Sequence, residues 1–348
     1  MTGYMVQTER ILDNFRLIKK RVGKTLIIPV LAGNAFGLGD VAVARMLAEA
    51  EGIRLFAVSR LEEAERLKSS LHGIDVLLTT PYTTEQDLEK IIRADIISSV
   101  GTNETAVRLS GIAARMGRKA RVHLKFDTGC GRTGYLPEDA TKAAQTLKFL
   151  DALAIEGTYT DLLGVKKEKK ARIQYERFQQ ILRSFSREGL PYGMTHIVST
   201  GGAMLFPWAK MDAVRVGEGL TGRLEIADKW GFKKVGRLVS YVSDIRWVPA
   251  GHTVSENGAV RIRKATKIAA VPVGYADGLF VGRKRGFALY GRRKAFCEIA
   301  GKRAQIIGQP GYTTTIIDVT DIECTPGDMA SFDVSPFYVN PSVRRDYV

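Results

Sequence analysis

Eight short runs of aliphatic and β-branched residues divide the first two thirds of the chain. They span residues 26–31, 54–59, 74–79, 95–100, 121–126, 153–159, 195–200 and 212–217. Each run is followed by a loop and usually by an amphipathic stretch. Apolar strands that alternate with helices are typical of parallel βα units, and eight such units favour a closed barrel over an open sheet. The sequence therefore predicts an α/β fold with an N-terminal (β/α)8 barrel of the TIM type over residues 10–228.

The pattern changes after about residue 224. Short strand-like segments separated by glycine-containing turns follow, at residues 240–248, 252–263, 267–275, 288–299, 302–308, 314–322 and 328–334. Such a succession is typical of an antiparallel sheet. We therefore expect a second, mainly antiparallel β domain over residues 229–348, to which residues 1–9 could be added.

Composition excludes several classes of protein. A length of 348 residues with 45% hydrophobic and 26% charged residues is enough for two folded domains and argues against wholesale disorder. No apolar run is long enough for a membrane span or an export signal, so we expect a cytoplasmic protein. Its three cysteines have no disulfide or zinc spacing. The dispersed His72, His123 and His252 do not predict a metal site, and we interpret them as structural or exposed.

The formal net charge of +15 raises the question of nucleic-acid binding. The basic residues are scattered over 115–121, 166–172, 261–267 and 283–294, mostly in stretches that we interpret as loops or helix surfaces. No surface motif combines basic with aromatic residues. We therefore interpret the charge as solvated surface or a patch that attracts small anions, and do not expect nucleic acid as the partner.

Glycine-rich loops with cations follow several of the barrel strands, at the ends where barrels carry their chemistry. The first strand runs into the glycine-rich segment 33–39, and the fifth into 125–134, which contains Lys125 and Arg132. The seventh strand carries His196 and ends in Ser-Thr-Gly-Gly at 199–202, where hydroxyl and amide groups at a helix start favour an anion. The eighth delivers Arg215 and Gly217. Together these groups would suit a phosphorylated cofactor.

These motifs, in this order, resemble the alanine racemase family, the fold-type III enzymes that use pyridoxal 5'-phosphate. Segment 33–39 is similar to the loop that carries the family's cofactor lysine, 125–132 to its Lys-Val-Asp-Thr-Gly-Met-Gly-Arg motif and 215–217 to its Arg-Ile-Gly. In the β domain, 274–278 resembles the loop of the catalytic tyrosine, 301–320 the central signature and 343–347 the C-terminal phosphate-contacting motif. The resemblance covers nearly the whole chain.

The resemblance implies roles for individual residues. Arg215 would face the pyridine nitrogen of the cofactor, and His196 would support Arg215. Lys125, commonly a carbamate in the family, would orient Arg132, which would lie near the phenolic oxygen of the cofactor and the substrate carboxylate. The phosphate contacts would come from Thr200, the Gly217 amide and Tyr347, with Phe36 where the family has a phosphate-facing tyrosine.

Catalysis in the family also uses a second subunit. Tyr275 would be one of two proton-transfer bases and would be supplied across a head-to-tail homodimer. Tyr312 and Thr313 would form the substrate gate, in place of the family's Met-Asp. The resemblance thus implies an amino acid as substrate, although the departures at the gate and at Thr160-Asp161, where Thr-His is usual, weaken the assignment to alanine.

One departure concerns the chemistry itself. The position of the family's Schiff-base lysine, which is also the second base, is occupied by Ala32. No other lysine lies between Lys24 and Lys68. We therefore expect negligible or very slow racemisation, and a cofactor that is not covalently bound, if it is bound at all.

Three readings remain open at this point. In the first, the chain is a racemase-family protein whose active lysine was replaced, naturally or by deliberate mutation. In the second, it is a natural non-catalytic protein that binds pyridoxal phosphate, its amino-acid adduct or another small anion and acts as a sensor or partner subunit. In the third, the barrel is associated with nucleic acid, since fold does not fix function.

Overall fold

The computed structural model describes residues 1–162, 167–280 and 295–348. The basic stretch 283–294, Lys166 and the first part of the predicted strand 288–299 lie outside these ranges. The chain divides into two compact units. The first comprises Arg10–Lys233, and the second combines Met1–Glu9 with Lys234–Val348.

The larger unit contains an eight-stranded parallel sheet. Its strands are β2 (Leu26–Pro29), β3 (Leu55–Val58), β4 (Asp75–Leu78), β5 (Ile97–Val100), β6 (Ala120–Lys125), β7 (Leu153–Tyr159), β8 (Met194–His196) and β9 (Ala213–Val216). The order is β2-β9-β8-β7-β6-β5-β4-β3, and a parallel bridge between Val30 and Ala57 joins the two ends. The predicted (β/α)8 barrel is confirmed, and each of the eight runs forms a strand.

Helices connect the strands in the manner that the amphipathic stretches predict. They are α1 (Thr8–Val22), α2 (Ala32–Phe36), α3 (Asp40–Glu51), α4 (Leu61–Ser70), α5 (Glu85–Arg93), α6 (Asn103–Arg115), α7 (Ala140–Leu147), α8 (Glu168–Arg187), α9 (Thr200–Leu205) and α10 (Glu218–Thr221). Thr84 and Thr102 cap α5 and α6, because each hydroxyl accepts a hydrogen bond from a first-turn amide. In α5 the buried residues Leu88, Ile91 and Ile92 recur at helical spacing and form its core-facing side.

The barrel interior is apolar at one level and polar at the next. Ile28, Ala57, Leu77, Ile97 and Ala213 form a buried cluster. Side chains two residues apart on a strand share a face. Two residues further along three of these strands stand Thr79, Ser99 and Arg215, so the C-terminal end of the barrel is polar where the middle is apolar.

The second unit is a nine-stranded sheet with a separate two-stranded ribbon. Its strands are β1 (Gly3–Val6), β10 (Gly236–Tyr241), β11 (Asp244–Val248), β12 (Thr253–Val254), β13 (Val260–Arg261), β14 (Thr266–Val271), β15 (Ala295–Ile299), β16 (Lys302–Ile306), β17 (Thr315–Asp318), β18 (Met329–Phe332) and β19 (Arg344–Tyr347). The sheet order is β11-β14-β17-β16-β15-β18-β10-β1-β19, and every pairing is antiparallel except β1 with β19. The predicted mainly antiparallel domain is confirmed.

No helix among the described residues is both long enough and apolar enough to cross a membrane.

Candidate functional site

A chain of hydrogen bonds joins Arg215 to two histidines inside the barrel. The Arg215 guanidinium donates to Nδ1 and to the carbonyl oxygen of His196, the latter at 3.1 Å. Nε2 of His196 lies 2.9 Å from Nδ1 of His123. Because guanidinium only donates, His196 Nδ1 must accept, so a neutral His196 carries its proton on Nε2 and donates it to His123.

Both histidines are kept neutral by their surroundings. Burial lowers the pKa of His123 to about 3, and the positive charges of Arg215 and Arg121 act in the same direction. Burial, Arg215 and His123 hold the pKa of His196 well below its ordinary value. The pair therefore adds no charge to the site near neutral pH, and it fixes the orientation of Arg215 through hydrogen bonds alone.

Tyr159, at the end of β7, packs against this chain. Its ring stacks on His196 with centroids 4.8 Å apart, and its hydroxyl donates to the Thr79 carbonyl at 3.0 Å. The Arg215 Cζ lies 4.9 Å and the Lys125 Nζ 5.6 Å from the centre of the same ring. Both basic side chains thus lie over the Tyr159 ring at the C-terminal end of the barrel.

Asp161 connects the two arginines of the site. One of its carboxylate oxygens accepts a hydrogen bond from Arg215 and the other accepts from Arg132 at 2.8 Å. Burial alone would raise the pKa of Asp161, but Arg215, Lys125 and Arg132 outweigh this effect and lower it. The carboxylate is therefore ionised near neutral pH and offsets part of the positive charge at this end of the barrel.

The glycine-rich loop after β6 is organised by Asp127. Its carboxylate accepts hydrogen bonds from the backbone amides of Gly129, Cys130 and Arg132, at 2.9, 2.6 and 2.8 Å. The Cys130 thiol lies 3.0 Å from the Asp161 carbonyl oxygen, and burial raises its pKa. Cys130 is therefore a packing residue rather than an activated nucleophile.

The loop that contains Ala32 has an unusual backbone. Gly33, Asn34, Ala35 and Phe36 all have φ between 53° and 65°, a left-handed turn that costs about 1 kcal/mol for each residue other than glycine. The buried Glu63 accepts hydrogen bonds from the amides of Gly33 and Asn34 at 2.7 and 3.2 Å with one oxygen, and from those of Ser59 and Arg60 with the other. This carboxylate holds the loop in place.

The predicted phosphate contacts Thr200, Gly217 and Phe36 lie close together. The buried Thr200 hydroxyl accepts from the amides of Gly217 and Gly219 at 3.3 and 3.4 Å, which leaves its own proton to donate. A Cβ atom at Gly217 would lie 2.5 Å from the Phe36 ring. Glycine at 217 is therefore required for Phe36 to pack here.

The other predicted residues lie in the β unit. The rings of Tyr275 and Tyr312 meet edge to face with centroids 5.1 Å apart, and both side chains are exposed. Thr313 is exposed beside Tyr312, and Tyr347, on β19, is also exposed. Gly274 permits this arrangement because a Cβ there would lie 2.2 Å from the Tyr312 carbonyl oxygen.

The structure thus brings Ala32, Phe36, Lys125, Arg132, His196, Thr200, Arg215 and Gly217 to the C-terminal end of the barrel. It also reveals contributors that the sequence analysis did not assign to the site, namely Glu63, His123, Tyr159 and Asp161. His123 was a detectable case, because it stands two residues before Lys125 on the same strand and so shares its inward face. Glu63 acts on a loop about 30 residues away and gives no such signal.

Models of two protein-family domains match most of the chain. The model of the alanine racemase N-terminal domain matches residues 6–225, and that of the C-terminal domain matches residues 235–333. The alanine racemase of Carboxydothermus hydrogenoformans is 33% identical over 334 residues, which cover 93% of this chain and 87% of that protein. Alanine racemase 1 of Caldanaerobacter subterraneus subsp. tengcongensis is 30% identical over 330 residues, covering 92% and 82% respectively.

Solved structures show the same fold. The alanine racemase of Clostridium difficile 630 superposes with a TM-score of 0.90 at 23% identity, covering 100% of this chain and 95% of that one. The alanine racemase of Bartonella henselae, solved with covalently bound pyridoxal phosphate, gives 0.85 at 22% identity with 100% and 99% covered. The two domain models account for most of the chain in the order that its motifs predict, and the chain belongs to the alanine racemase family.

Proposed function

We propose that this protein binds pyridoxal 5'-phosphate at the C-terminal end of its barrel and is deficient in amino-acid racemisation because Ala32 stands at the position of the cofactor lysine. The proposal is supported by the contrast between position 32 and the residues around it. Lys125, Arg132, His196 and Arg215 are all present and converge, whereas residue 32 carries only a methyl group.

The backbone around Ala32 is fixed on both sides. The Leu31 amide donates to the Ala57 carbonyl at 2.7 Å, and the Gly33 amide donates to Glu63 at 2.7 Å. These hydrogen bonds fix residue 32 at this position. A shifted register could not place a lysine there either, because the sequence has none between Lys24 and Lys68. Loss of a positioned base typically costs about 10²- to 10⁴-fold in rate.

The residues present fit the cofactor. Among the described residues, the two terminal nitrogens of Arg215 have four acceptors, while its Nε–H has none and is available to a ring nitrogen. The Thr200 hydroxyl retains a proton for a phosphate oxygen. Two permanently charged guanidinium groups, those of Arg132 and Arg215, share the Asp161 carboxylate, and this excess of positive charge favours an anionic group such as a phosphate ester.

When bound, the cofactor ring draws electrons from the substrate α-carbon and so makes its proton easier to remove. Because Arg215 does not give up its own proton, it would leave the ring nitrogen unprotonated and so limit this withdrawal. His196 holds Arg215 in place, and His123 holds His196. Arg132 would be available to a substrate carboxylate once the Arg132 side chain has left Asp161.

The proposal also includes the substrate and a second subunit. The substrate class is an amino acid, and Tyr275 of a second subunit supplies a base on the opposite face, with Tyr312 and Thr313 at the entrance. The exposure of Tyr275 and Tyr312 in the β unit supports a role that requires a partner or ligand. The relatives named alanine racemase support alanine as the first substrate to examine.

A second candidate function is a non-catalytic binder that senses the cofactor or its amino-acid adduct. The ion pairs of Asp161 favour it, because the carboxylate occupies the arginine that would otherwise receive the substrate carboxylate. A racemase-deficient scaffold and a sensor share the same cofactor site. They differ in whether a lysine at position 32 restores turnover.

Equilibrium dialysis with pyridoxal phosphate tests the shared part of the proposal. The unmodified chain should bind about one cofactor per subunit, and Arg215→Leu should lose most of this binding. The matched control is Arg172→Leu, since Arg172 pairs with Glu168 on the exposed surface of α8. Absence of binding to the unmodified chain, or equal binding by both variants, would contradict the proposal.

A further inference from the structure

We propose that Lys125 takes the covalent role that Ala32 cannot fill, by forming an imine with the aldehyde of pyridoxal phosphate. The Nζ lone pair adds to the aldehyde carbon, the amine gives up two protons, the carbonyl oxygen leaves as water, and a C=N bond joins the side chain to the cofactor. This inference rests on the proposed function, since it requires cofactor binding at the barrel end. It replaces the expectation of a cofactor held without a covalent bond.

Lys125 has the position that such a role demands. It ends β6, at the same end of the barrel as Arg132 and Arg215. Only 8% of the residue is exposed, and no other lysine is buried in the part of the chain that the structure describes. The side chain therefore presents an amine inside the proposed cofactor site rather than on the protein surface.

The surroundings of Lys125 suit an amine better than an ammonium ion. An ammonium has three N–H donors. Within residues 1–162, 167–280 and 295–348, the Nζ of Lys125 has one hydrogen-bond acceptor, the Thr79 carbonyl at 3.3 Å, and no ion-pair partner. A buried cation with one long hydrogen bond is poorly compensated for its lost hydration.

The electrostatics of the site act in the same direction. Burial lowers the pKa of Lys125, Asp161 opposes this effect, and Arg132 and Arg215 reinforce it. A lysine whose pKa is lowered by burial and neighbouring cations is the usual form of an amine that forms imines with carbonyl compounds. Since only the neutral amine has a free lone pair, the site favours the reactive form.

Asp161 also removes the need for a carbamate on Lys125. The resemblance to the family implies a carbamate on Lys125, whose negative charge would orient Arg132. Here Asp161 already binds Arg132 at 2.8 Å and also pairs with Arg215. Both arginines therefore have their counter-charge, and the Lys125 amine is left unmodified.

Borohydride reduction followed by mass spectrometry tests this inference without any measurement of activity. The full-length protein is incubated with pyridoxal phosphate, reduced, digested and mapped, because reduction converts an imine into a stable secondary amine. We expect one cofactor-derived adduct, on the peptide that contains Lys125. Lys125→Arg should lose the adduct while retaining the cofactor in equilibrium dialysis.

Lys210→Arg is the matched control. Burial and Arg21 lower the pKa of Lys210 too, but it precedes β9 and so lies at the opposite end of the barrel. This variant should keep the Lys125 adduct. Cofactor binding without an adduct at Lys125, an adduct mainly on another lysine, or a carbamate on Lys125 detected with ¹³C-bicarbonate would overturn the inference and leave the proposed function standing. Failure of the unmodified chain to bind cofactor would overturn both.

Discussion

Asp161 accepts a hydrogen bond from Arg132 at 2.8 Å across two loops of the barrel, and its second oxygen pairs with the buried Arg215. Asp161→Asn would leave Arg215 without a counter-charge. Removing one partner of a buried ion pair costs about 3 kcal/mol, so the free energy of unfolding should fall by roughly that amount. Urea denaturation measures the change.

Glu85→Gln is the control for this experiment. Glu85 pairs with Arg115, but both side chains are largely exposed, and pairs of this kind contribute about 0–1 kcal/mol. Equal effects of the two substitutions would show that Asp161 has no special role in holding Arg215.

The neutral histidine pair should make stability sensitive to pH. Both histidines have lowered pKa values in the folded protein, whereas the unfolded chain takes up their protons near the ordinary value of 6.5. The unfolded state therefore binds more protons as the pH falls below about 6.5, and unfolding becomes easier by about 1.4 kcal/mol per pH unit for each histidine, down towards about pH 3 for His123.

Unfolding free energies between pH 6.5 and 5 would measure this slope. His123→Gln should reduce this slope by the share of one histidine. An unaltered slope in His123→Gln would mean that His123 is not held neutral in the folded protein.

Gly157 gives room to His123. A Cβ at this position would lie 2.6 Å from His123 Cε1 and 2.7 Å from the Met194 carbonyl oxygen, which is part of the rigid backbone of β8. Gly157→Ala should therefore destabilise the protein by about 1–3 kcal/mol, as overpacking usually does. Gly111 lies inside α6, and a Cβ added there would have no atom within 4 Å apart from its chain neighbours and the adjacent helix backbone. In Gly111→Ala, helix propensity should therefore give a gain of up to about 1 kcal/mol. Thermal denaturation distinguishes the two, and a harmless Gly157→Ala would contradict the packing described for His123.

The loop around Ala32 should depend on Glu63. Glu63→Gln replaces one of two acceptor oxygens with a donor, so the amides of Gly33 and Asn34, or those of Ser59 and Arg60, lose their partner. We expect faster hydrogen exchange at Gly33 and Asn34 and a loss of about 1–3 kcal/mol in stability. The neighbouring exposed Glu62→Gln should change neither quantity. Unchanged exchange at both amides in Glu63→Gln would show that the loop is held by other contacts.

Local pattern was enough to predict both halves of the fold. Apolar runs separated by amphipathic segments repeat along the barrel, and strand periodicity with glycine turns marks the β unit. The basic residues of the site could be predicted because Lys125 and Arg215 stand near the ends of predicted strands and Arg132 lies in the glycine-rich loop that follows one of them. Local sequence pattern could not predict which side chains from distant parts of the chain form ion pairs or hydrogen bonds with each other. The two ion pairs of Asp161 depend on how the loops after β6 and β7 meet strand β9, which carries Arg215. The hydrogen bonds that Glu63 accepts depend on a left-handed turn, for which Gly33 and Gly37 are the only sequence signal.

We propose that the barrel end retains a cofactor site of the racemase family and lacks one base. The decisive experiment measures racemisation of L-alanine with added pyridoxal phosphate, by the unmodified chain and by Ala32→Lys. L-Serine, L-lysine and L-ornithine extend the measurement to other side chains. We predict negligible turnover by the unmodified chain and a gain of about 10²-fold or more in the variant, since a positioned base contributes about that much. Rapid racemisation by the unmodified chain, or a variant that binds cofactor but remains as slow as its parent, would contradict the claim.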